Sequence, residues 1–287
     1  MDSDQGKAEK LSKGKEPGPD DPELTREEEK DVDDNQLPRA VVLHEIIRTQ
    51  GDHELERTVA ALFWSALAAG LTMGLSLMAM GLLNANLPAG GYTKVIASFG
   101  YSAGFLAVIL ARQQLFTENT LTAVLPVMSE PTLHNVGRLG RLWGVVLVGN
   151  LLGTMLVAYV ILHLPLFDAK TDAKFIEIGS KVMQSDAGGM FAKGIVSGWM
   201  IATMVWMLPA AESAKIWVIV LITYLMALGD FTHIVVGSLE VAYLVFAGEA
   251  TWSQFWFTFA GPTLAGNIVG GSLIFGLISH AQVRSDS

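Results

Sequence analysis

Apolar residues form long runs through most of the chain, whereas the first 58 residues are polar. The runs cover about residues 59–83, 96–128, 139–162, 190–208, 216–247 and 257–279. About 20 helical residues cross a hydrocarbon core of about 30 Å, so runs of this length can span a bilayer. Polar residues interrupt the second run near "ARQQLFTENT" and the fifth at "GDFTH". The pattern predicts an all-α polytopic membrane protein with six transmembrane helices, two of them broken.

The polar start of the chain divides into two predicted parts. Residues 1–36 are rich in Lys, Glu, Asp and Pro, which predicts a disordered charged tail. Residues 37–57 predict a short amphipathic interfacial helix that lies on the membrane surface, against a neighbouring subunit, or in solvent as a simple leader. Its predicted apolar stripe consists of Val41, Val42, Ile46 and Ile47.

Charge and composition support a membrane protein and exclude several other classes. The first 58 residues hold 17 of the 28 acidic and 9 of the 19 basic residues, so the rest has too few charges to coat a soluble globule. No basic patch with interleaved aromatics is present, which argues against nucleic acid as a partner. The chain has no cysteine, which excludes disulfides and thiolate chemistry. We find no nucleophile–base pair, metal-ligand spacing or phosphate loop, and expect neither enzymatic activity nor a cofactor.

Basic residues next to the spans predict the orientation of the chain. An even number of spans places both termini on one side of the membrane. The positive-inside rule then assigns that side to the cytoplasm, with residues 281–287 as a short cytoplasmic tail. The opposite side carries residues 163–189, predicted to be a long polar connection. The basic residues that define the cytoplasmic side are Arg57, Arg138, Arg141, Lys215 and Arg284.

Two sequence matches at nearly one period indicate an internal repeat. The pattern G-N-x-x-G places Asn150 and Asn267 in equivalent positions, where they are predicted to support the broken helices by hydrogen bonds. "LFTENT" and "DFTHIV" align at a spacing of 115 residues. Each repeat has three spans, so the second enters the membrane inverted. Inverted repeats with matching breaks are typical of proteins that carry a permeation site near the midplane.

The two breaks contain the candidate functional residues. Non-helical backbone at membrane depth occurs only where it is buried in protein or faces a water-filled cavity. Thr117 and His233 lie at the breaks, and we interpret His233 as a functional group rather than a structural one. Asp230 is expected at the mouth of the second break. Glu240 is interpreted as a residue that contacts a helix or a neighbouring subunit.

"LFTENT", "GDFTH" and "GPTLAGNIVGG", which occur in this order on the expected spans, resemble motifs of the formate/nitrite transporter family. The resemblance covers about residues 37–279. It implies an aquaporin-like fold, assembly as a homopentamer in the inner membrane, and one pore in each protomer. Residues 58–280 would then form a six-helix membrane channel domain.

The resemblance also implies roles for individual residues. His233 and Thr117 match the central pore histidine and the threonine of the second-span loop. Tyr101 and Phe105 match the cytoplasmic constriction, and Lys181 matches a lysine in the vestibule on the other side. The outer constriction would be formed by Leu115, Ile201 and Met226.

Three positions depart from the family pattern. Thr232 stands where the family has a glutamate before the central histidine, and Gly198 stands where it has an asparagine. Arg112, followed by two glutamines, replaces small and acidic residues and adds a charge near the pathway. His233 would therefore lack expected hydrogen-bond partners, so the substrate of the family is not carried over.

These observations predict a channel for small monovalent anions, or for their acids, with a proton linked to transport through His233. One alternative is an aquaporin-like channel for neutral solutes, in which His233 only donates hydrogen bonds. A second alternative is a pentameric scaffold that conducts nothing and acts through its charged tail. The expected partners are a small anion, the lipid bilayer and further copies of the chain.

Overall fold

The computed structural model describes residues 25–26 and 38–285, and the secondary structure of these residues is entirely helical. The α-helices are α1 Ala40–Glu56, α2 Val59–Thr72, α3 Gly74–Asn86, α4 Gly91–Ala97, α5 Ser102–Leu110, α6 Val124–Ser129, α7 Leu133–His163, α8 Ala169–Val182, α9 Ala187–Ala211, α10 Lys215–Leu228, α11 Ile234–Phe246, α12 Gly261–Ile268 and α13 Leu277–Ser285. The prediction of an all-α protein is confirmed for the described residues. The predicted tail lies outside them, except for residues 25 and 26.

Within the described residues, five helical runs are long and apolar enough to cross a membrane. They are Val59–Asn86, Gly91–Leu110, Leu133–His163, Ala187–Leu228 and Gln254–Ser285. The run of 42 residues contains both α9 and α10, which meet at a 3₁₀ turn where Glu212 has a φ of 37°. Helix α11 is apolar but has only 13 residues.

Helix α1 buries only part of the predicted apolar stripe. Leu43, Ile47 and Leu55 are buried, whereas Val42 and Ile46 are exposed in the protomer. The buried residues recur every four or eight positions, which keeps them on one side of a helix. Gly51 belongs to the same face and lets α1 approach the backbone at the end of the first break, just before α6, because a Cβ there would lie 2.0 Å from the Thr122 carbonyl oxygen.

The predicted polar connection at residues 163–189 instead contains helix α8. Asp168 caps its start, with Oδ1 accepting a hydrogen bond from the Thr171 backbone N–H at 2.8 Å. Phe175 is fully buried against Gly81 of α3, and Gly179 packs on the backbone of α11. These few apolar contacts, hidden among charged residues, hold α8 beside the membrane-spanning helices.

Small residues let the long helices pack backbone to backbone. A Cβ on Gly153 of α7 would lie 2.5 Å from the Leu67 carbonyl oxygen of α2 and 2.8 Å from the Gly70 Cα. Helices α9 and α12 meet in the same way at Gly194 and Gly266. Such close approach is the usual basis of helix association within membranes.

Two breaks interrupt this helical frame, and their first residues have the same local geometry. The first break comprises residues 111–123 between α5 and α6, and the second comprises residues 229–233 between α10 and α11. Arg112 and Asp230 have left-handed φ angles of 53° and 54°. The next residue in each break, Gln113 or Phe231, donates its backbone N–H at 3.0 Å to a carbonyl five residues earlier.

One asparagine secures each break. Asn150 Oδ1 accepts from the Phe116 backbone N–H at 2.9 Å, while its Nδ2 donates to the Gln114 carbonyl at 2.8 Å. Asn267 Oδ1 accepts from the Ile234 N–H at 2.9 Å, and its Nδ2 donates to the Thr232 carbonyl at 3.2 Å. Both asparagines are fully buried, so these contacts satisfy backbone groups that water cannot reach.

Residues that make the same hydrogen bond in the two breaks are 118 positions apart in the sequence. The Phe-Thr sequence match predicts a separation of 115 positions. Phe116 corresponds to Ile234, because each donates its N–H to the asparagine of its own break. Leu115 therefore corresponds to His233, and Thr117 is not the counterpart of Thr232. The Phe-Thr match gives the wrong alignment because the dipeptide occupies different positions relative to the asparagine-bonded residue in the two breaks, which differ in length.

We expect Gly153→Ala to lower the free energy of unfolding by about 1–3 kcal/mol, because the added methyl group would overlap the backbone of α2. The matched control is Gly144→Ala on the same helix, where nothing lies within 4 Å of the new carbon. The control should be neutral or stabilising by up to about 1 kcal/mol. Thermal unfolding of the purified protein in detergent measures both, and equal melting temperatures would contradict the packing described.

We expect Asn267→Ala and Asn150→Ala each to destabilise the protein by about 1–3 kcal/mol for every buried backbone group left without a partner. Asn86→Ala is the control, because the Asn86 side chain is exposed and bonds only to its own helix, at 2.9 Å. The readout is the unfolding temperature. A control as destabilised as the two buried variants would show that the breaks do not depend on these side chains.

Candidate functional site

A cavity of about 440 Å³ opens beside α8 and reaches inward to the second break. It narrows onto His233 and Thr232, with Tyr101 and Met226 also on its wall. Its charged lining residues are Lys94, Lys174, Lys181, Lys193, Glu177, Asp230 and Glu240. We call it the α8 cavity. Its wall thus carries four lysines and three carboxyl groups.

His233 closes the inner end of the α8 cavity and also starts helix α11. Its Nδ1 accepts from the backbone N–H groups of Val235 and Val236, both at 3.3 Å. In neutral imidazole the nitrogen that accepts carries no proton, so the proton is assigned to Nε2. Nε2 lies 2.7 Å from Thr117 Oγ1 in the first break. This hydrogen bond joins the two breaks.

Two aromatic side chains pack next to His233, one directly and one through the other. The Phe105 ring meets the His233 ring edge to face, with centroids 5.1 Å apart, and Tyr101 packs on Phe105 at 5.3 Å. Tyr101 lines the α8 cavity together with Met226, although the resemblance assigns these two residues to opposite constrictions. The reason is the direction of the chain. The second span starts at Gly91 beside α8, so Tyr101 lies only about 15 Å along it, within half of the hydrocarbon thickness.

The residues predicted for the outer constriction differ in whether they line one of the described cavities. Leu115 and Ile201 are fully buried and lie on neither of the two cavities described. Leu115 corresponds in the first break to His233 in the second, because each precedes the residue that donates to the asparagine. Of the three, Met226 alone lines the α8 cavity.

Thr232 and Gly198, where the sequence departs from the family pattern, both serve the packing around the second break. Thr232 Oγ1 donates to the Met190 carbonyl at 3.0 Å, so its hydroxyl group is used within the protein. Gly198 packs on the backbone of Asn267, where a Cβ would lie 2.3 Å from the Asn267 carbonyl oxygen. Ser197 supplies a polar group instead: its hydroxyl donates to the Thr232 carbonyl and accepts from Asn267 Nδ2 at 2.9 Å.

Lys181 lies on the α8 cavity and forms an ion pair with Asp230. Its Nζ is 2.7 Å from Asp230 Oδ1, while Lys94 Nζ is 2.9 Å from Asp230 Oδ2. Asp230 thus lies at the mouth of the second break, as the sequence predicts. Lys94 itself was not predicted, since a single lysine after a loop gives no sequence signal of its partner 136 residues away.

A second cavity of about 290 Å³ lies beside α1, next to the first break. Arg112 lines it, together with the buried Gln114. Gln114 Nε2 donates to Glu54 Oε2 of α1 at 2.8 Å, and Gln114 Oε1 accepts from Asn119 Nδ2 at 3.0 Å. Neutral polar side chains as well as charged ones therefore line this cavity. We call it the α1 cavity.

The two cavities lie near opposite ends of helix α7. Arg141, near its start, donates to the Leu55 carbonyl at the end of α1 at 2.6 Å, whereas α8 follows its last residue, His163. A helix of 31 residues is about 46 Å long, which exceeds the thickness of a hydrocarbon core. His233 and Thr117 lie between the two cavities, so the arrangement suits passage across the protein.

Glu240 lines the α8 cavity and does not serve only as a contact between helices. It lies seven residues after His233 on α11, and two helical turns place both side chains on the same face. This spacing could have revealed it from the sequence. Within the described residues, no three His, Asp or Glu side chains cluster as metal ligands do, and the histidine and carboxyl groups of the cavity remain separate.

The chain matches the model of a known family over most of its length. Residues 41–281 match the family model described as formate/nitrite transporter. The chain is 56% identical over 257 residues to the inner membrane protein YfdC of Escherichia coli, covering 89% of this chain and 83% of that protein. It is 24% identical over 223 residues to the formate channel FocA of Haemophilus influenzae, covering 68% and 76% of the two chains.

Solved structures share the fold. A pentameric formate channel with formate bound superposes with a TM-score of 0.68 at 20% identity, covering 79% of this chain and 98% of the other. A second structure, described as an FNT family ion channel, gives a TM-score of 0.65 at 21% identity, covering 85% and 96%. With its broken helices, paired asparagines and apolar runs, and with the family model matching 241 residues, the chain belongs to the formate/nitrite transporter family.

Proposed function

We propose that the protein is a channel for small monovalent anions that cross its narrow centre together with a proton. Its family consists of transporters and channels rather than enzymes. The observation that carries the proposal is the course of the α8 cavity, which leads from four lysines to the His233–Thr117 hydrogen bond. An anion would be attracted at the mouth and would meet hydrogen-bond donors, rather than fixed charge, at the centre.

The proposed architecture has six spans in two inverted three-span repeats, with α10, the second break and α11 counted together as the fifth span. The equal geometry of the two breaks, 118 residues apart, supports the repeat, and three spans in each repeat would invert the second. We further propose a homopentamer in the inner membrane with both termini in the cytoplasm. The pentameric formate channel of the same fold supports the assembly.

Energetics favours transfer of the neutral acid over the bare anion. Moving a small anion into an apolar constriction carries an idealised desolvation cost of about 20 kcal/mol, and several kcal/mol of this cost remain at each constriction after the protein relaxes. Protonating an acid with a pKa of about 3.7 at pH 7 costs about 4.5 kcal/mol. Neutralisation is therefore the route of lower energy past Phe105 and His233.

The hydrogen bonds of His233 define its proposed role. Since two backbone N–H groups occupy Nδ1, the Nε2–H is the group available to a solute. We propose that it donates to the anion oxygen as the solute replaces the Thr117 hydroxyl. The bond lowers the cost of anion desolvation until the proton arrives from the lysine-rich side. Thr117 then re-forms its bond with His233 after the solute has passed.

Formate uptake at a fixed total concentration should rise as the external pH falls, by up to about tenfold per pH unit. The acid fraction changes tenfold per unit above its pKa, and the acid is the species that crosses. Initial rates in proteoliposomes between pH 7.5 and pH 5.5 measure this dependence, with protein-free liposomes as the background. Protein-dependent uptake that is flat with pH would disprove proton linkage.

His233→Asn should lower formate flux at least about tenfold, because the shorter asparagine side chain leaves no donor at the Nε2 position, where one is worth about 1.5–3 kcal/mol to a charged group. Asparagine is a good N-cap residue, so helix α11 keeps its cap and the variant should fold. The control is His163→Asn, since His163 is exposed at the end of α7 and bonds only to its own helix. Equal flux through both variants and the unsubstituted protein would refute the role of His233.

The same proteoliposomes distinguish the alternatives. A neutral-solute channel would pass glycerol or water in swelling assays and show no pH-linked formate uptake. A non-conducting scaffold would pass none of these solutes, and deletion of residues 1–36 would leave every flux at background. The proposed function requires formate uptake above the protein-free background.

A further inference from the structure

The mouth of the α8 cavity holds a carboxylate between two lysines. Asp230 Oδ1 lies 2.7 Å from Lys181 Nζ, and Asp230 Oδ2 lies 2.9 Å from Lys94 Nζ. Each oxygen therefore has its own ammonium group, and the carboxylate bridges them. The three residues come from α8, α4 and the second break, which meet only at this mouth.

The bridge has the geometry with which two lysines would bind a small anion. Formate, acetate and nitrite each present two oxygens on one atom, as the Asp230 carboxylate does. Charge-assisted N–H···O bonds of about 2.7–2.9 Å are typical of such pairs. Asp230 thus marks the position and the two-oxygen shape of an anion site, although it is part of the chain itself.

We propose that Asp230 is a tethered competitor that sets the affinity of the mouth for its substrate. A monovalent anion with two oxygens takes the place of the Asp230 carboxylate between Lys94 and Lys181 and then moves inward towards His233. This inference rests on the proposed function, which it deepens by naming a two-oxygen anion as the substrate class and Asp230 as the residue that determines specificity.

The exposure of these groups makes the exchange feasible. The side chains of Lys94, Asp230 and Lys181 are 44%, 37% and 43% exposed, so water screens both ion pairs. Ion pairs of this kind are weak. A dissolved anion can therefore compete at moderate concentration, and the released carboxylate remains solvated beside the site.

The backbone conformation at Asp230 allows asparagine to replace it without added strain. Its φ of 54° lies in the left-handed region, which Asp and Asn tolerate better than other non-glycine residues. Asp230→Asn consequently keeps the size and the backbone preference of the residue and removes only the charge. Since Arg112 has the same φ in the first break, this conformation belongs to the break itself and does not depend on the lysines.

The cavity also provides a matched control. Glu177 lines the same wall, and its Oε2 lies 2.6 Å from Lys174 Nζ. Glu177→Gln changes the charge of the cavity by the same amount as Asp230→Asn. It releases one lysine rather than two lysines that share a site, so it separates the effect of total charge from that of the bridge.

Titration of the purified, detergent-solubilised protein with sodium formate tests the proposal, with formamide as a neutral probe. We expect Asp230→Asn to lower the Kd for formate at least about fivefold, and Glu177→Gln to change it less than twofold. Adding Lys94→Gln to Asp230→Asn should reverse the gain, because a single ammonium cannot bridge the anion. Formamide should bind no better to any variant. In proteoliposomes, Asp230→Asn should also lower the KM for formate.

The outcomes separate this inference from the proposed function. If Asp230→Asn binds formate no more tightly than the unsubstituted protein, or if Glu177→Gln gives the same gain, Asp230 is not a competitor at a two-lysine site. If the gain appears in the titration while the unsubstituted protein shows no formate uptake in proteoliposomes, the anion site stands and the proposed channel function fails.

Discussion

The structure depends on keeping every backbone polar group satisfied where two helices are broken at membrane depth. Asn150 and Asn267 meet this constraint, each bonding one N–H and one carbonyl of its own break. Without such ties, the buried N–H groups of Phe116 and Ile234 would have neither protein nor water as a partner, which is costly. The breaks place Thr117 and His233 within hydrogen-bond distance of each other. Their hydrogen bond therefore depends on the asparagines that stabilise the irregular backbone.

Much of this arrangement could be predicted from the sequence, because hydropathy and local motifs report it directly. Apolar runs revealed the helices, and polar letters inside them revealed both breaks. Helix α8 was missed because it is stabilised by tertiary contacts, such as Phe175 against Gly81, and its sequence is mostly polar. The buried face of α1 was also misassigned in part, since the choice between Val42 and Leu43 depends on where α6 lies.

The sequence predicts individual candidate residues of the site, but not which of them contact each other. His233 and Thr117 were singled out because they lie at the breaks, and Lys181 because the family resemblance assigns it to a vestibule. Their partners were not: Lys94 lies 136 residues from Asp230, and no periodicity connects them. The repeat was recognised in the wrong register because letters were matched, whereas the backbone repeats its hydrogen bonds. Sequence separation therefore did not reveal which residues are in contact, and matching residue types did not reveal which positions of the two breaks are equivalent.

The position of His233 at the start of α11 determines whether its imidazole ring can conduct protons. A ring that passes protons like a wire must lose one at one nitrogen while gaining one at the other. Here two backbone N–H groups point at Nδ1, so that nitrogen is a poor acceptor of a further proton. In the proposed channel, a proton would therefore cross only together with its solute and not along the histidine ring, so the proposed pore would not by itself dissipate a proton gradient.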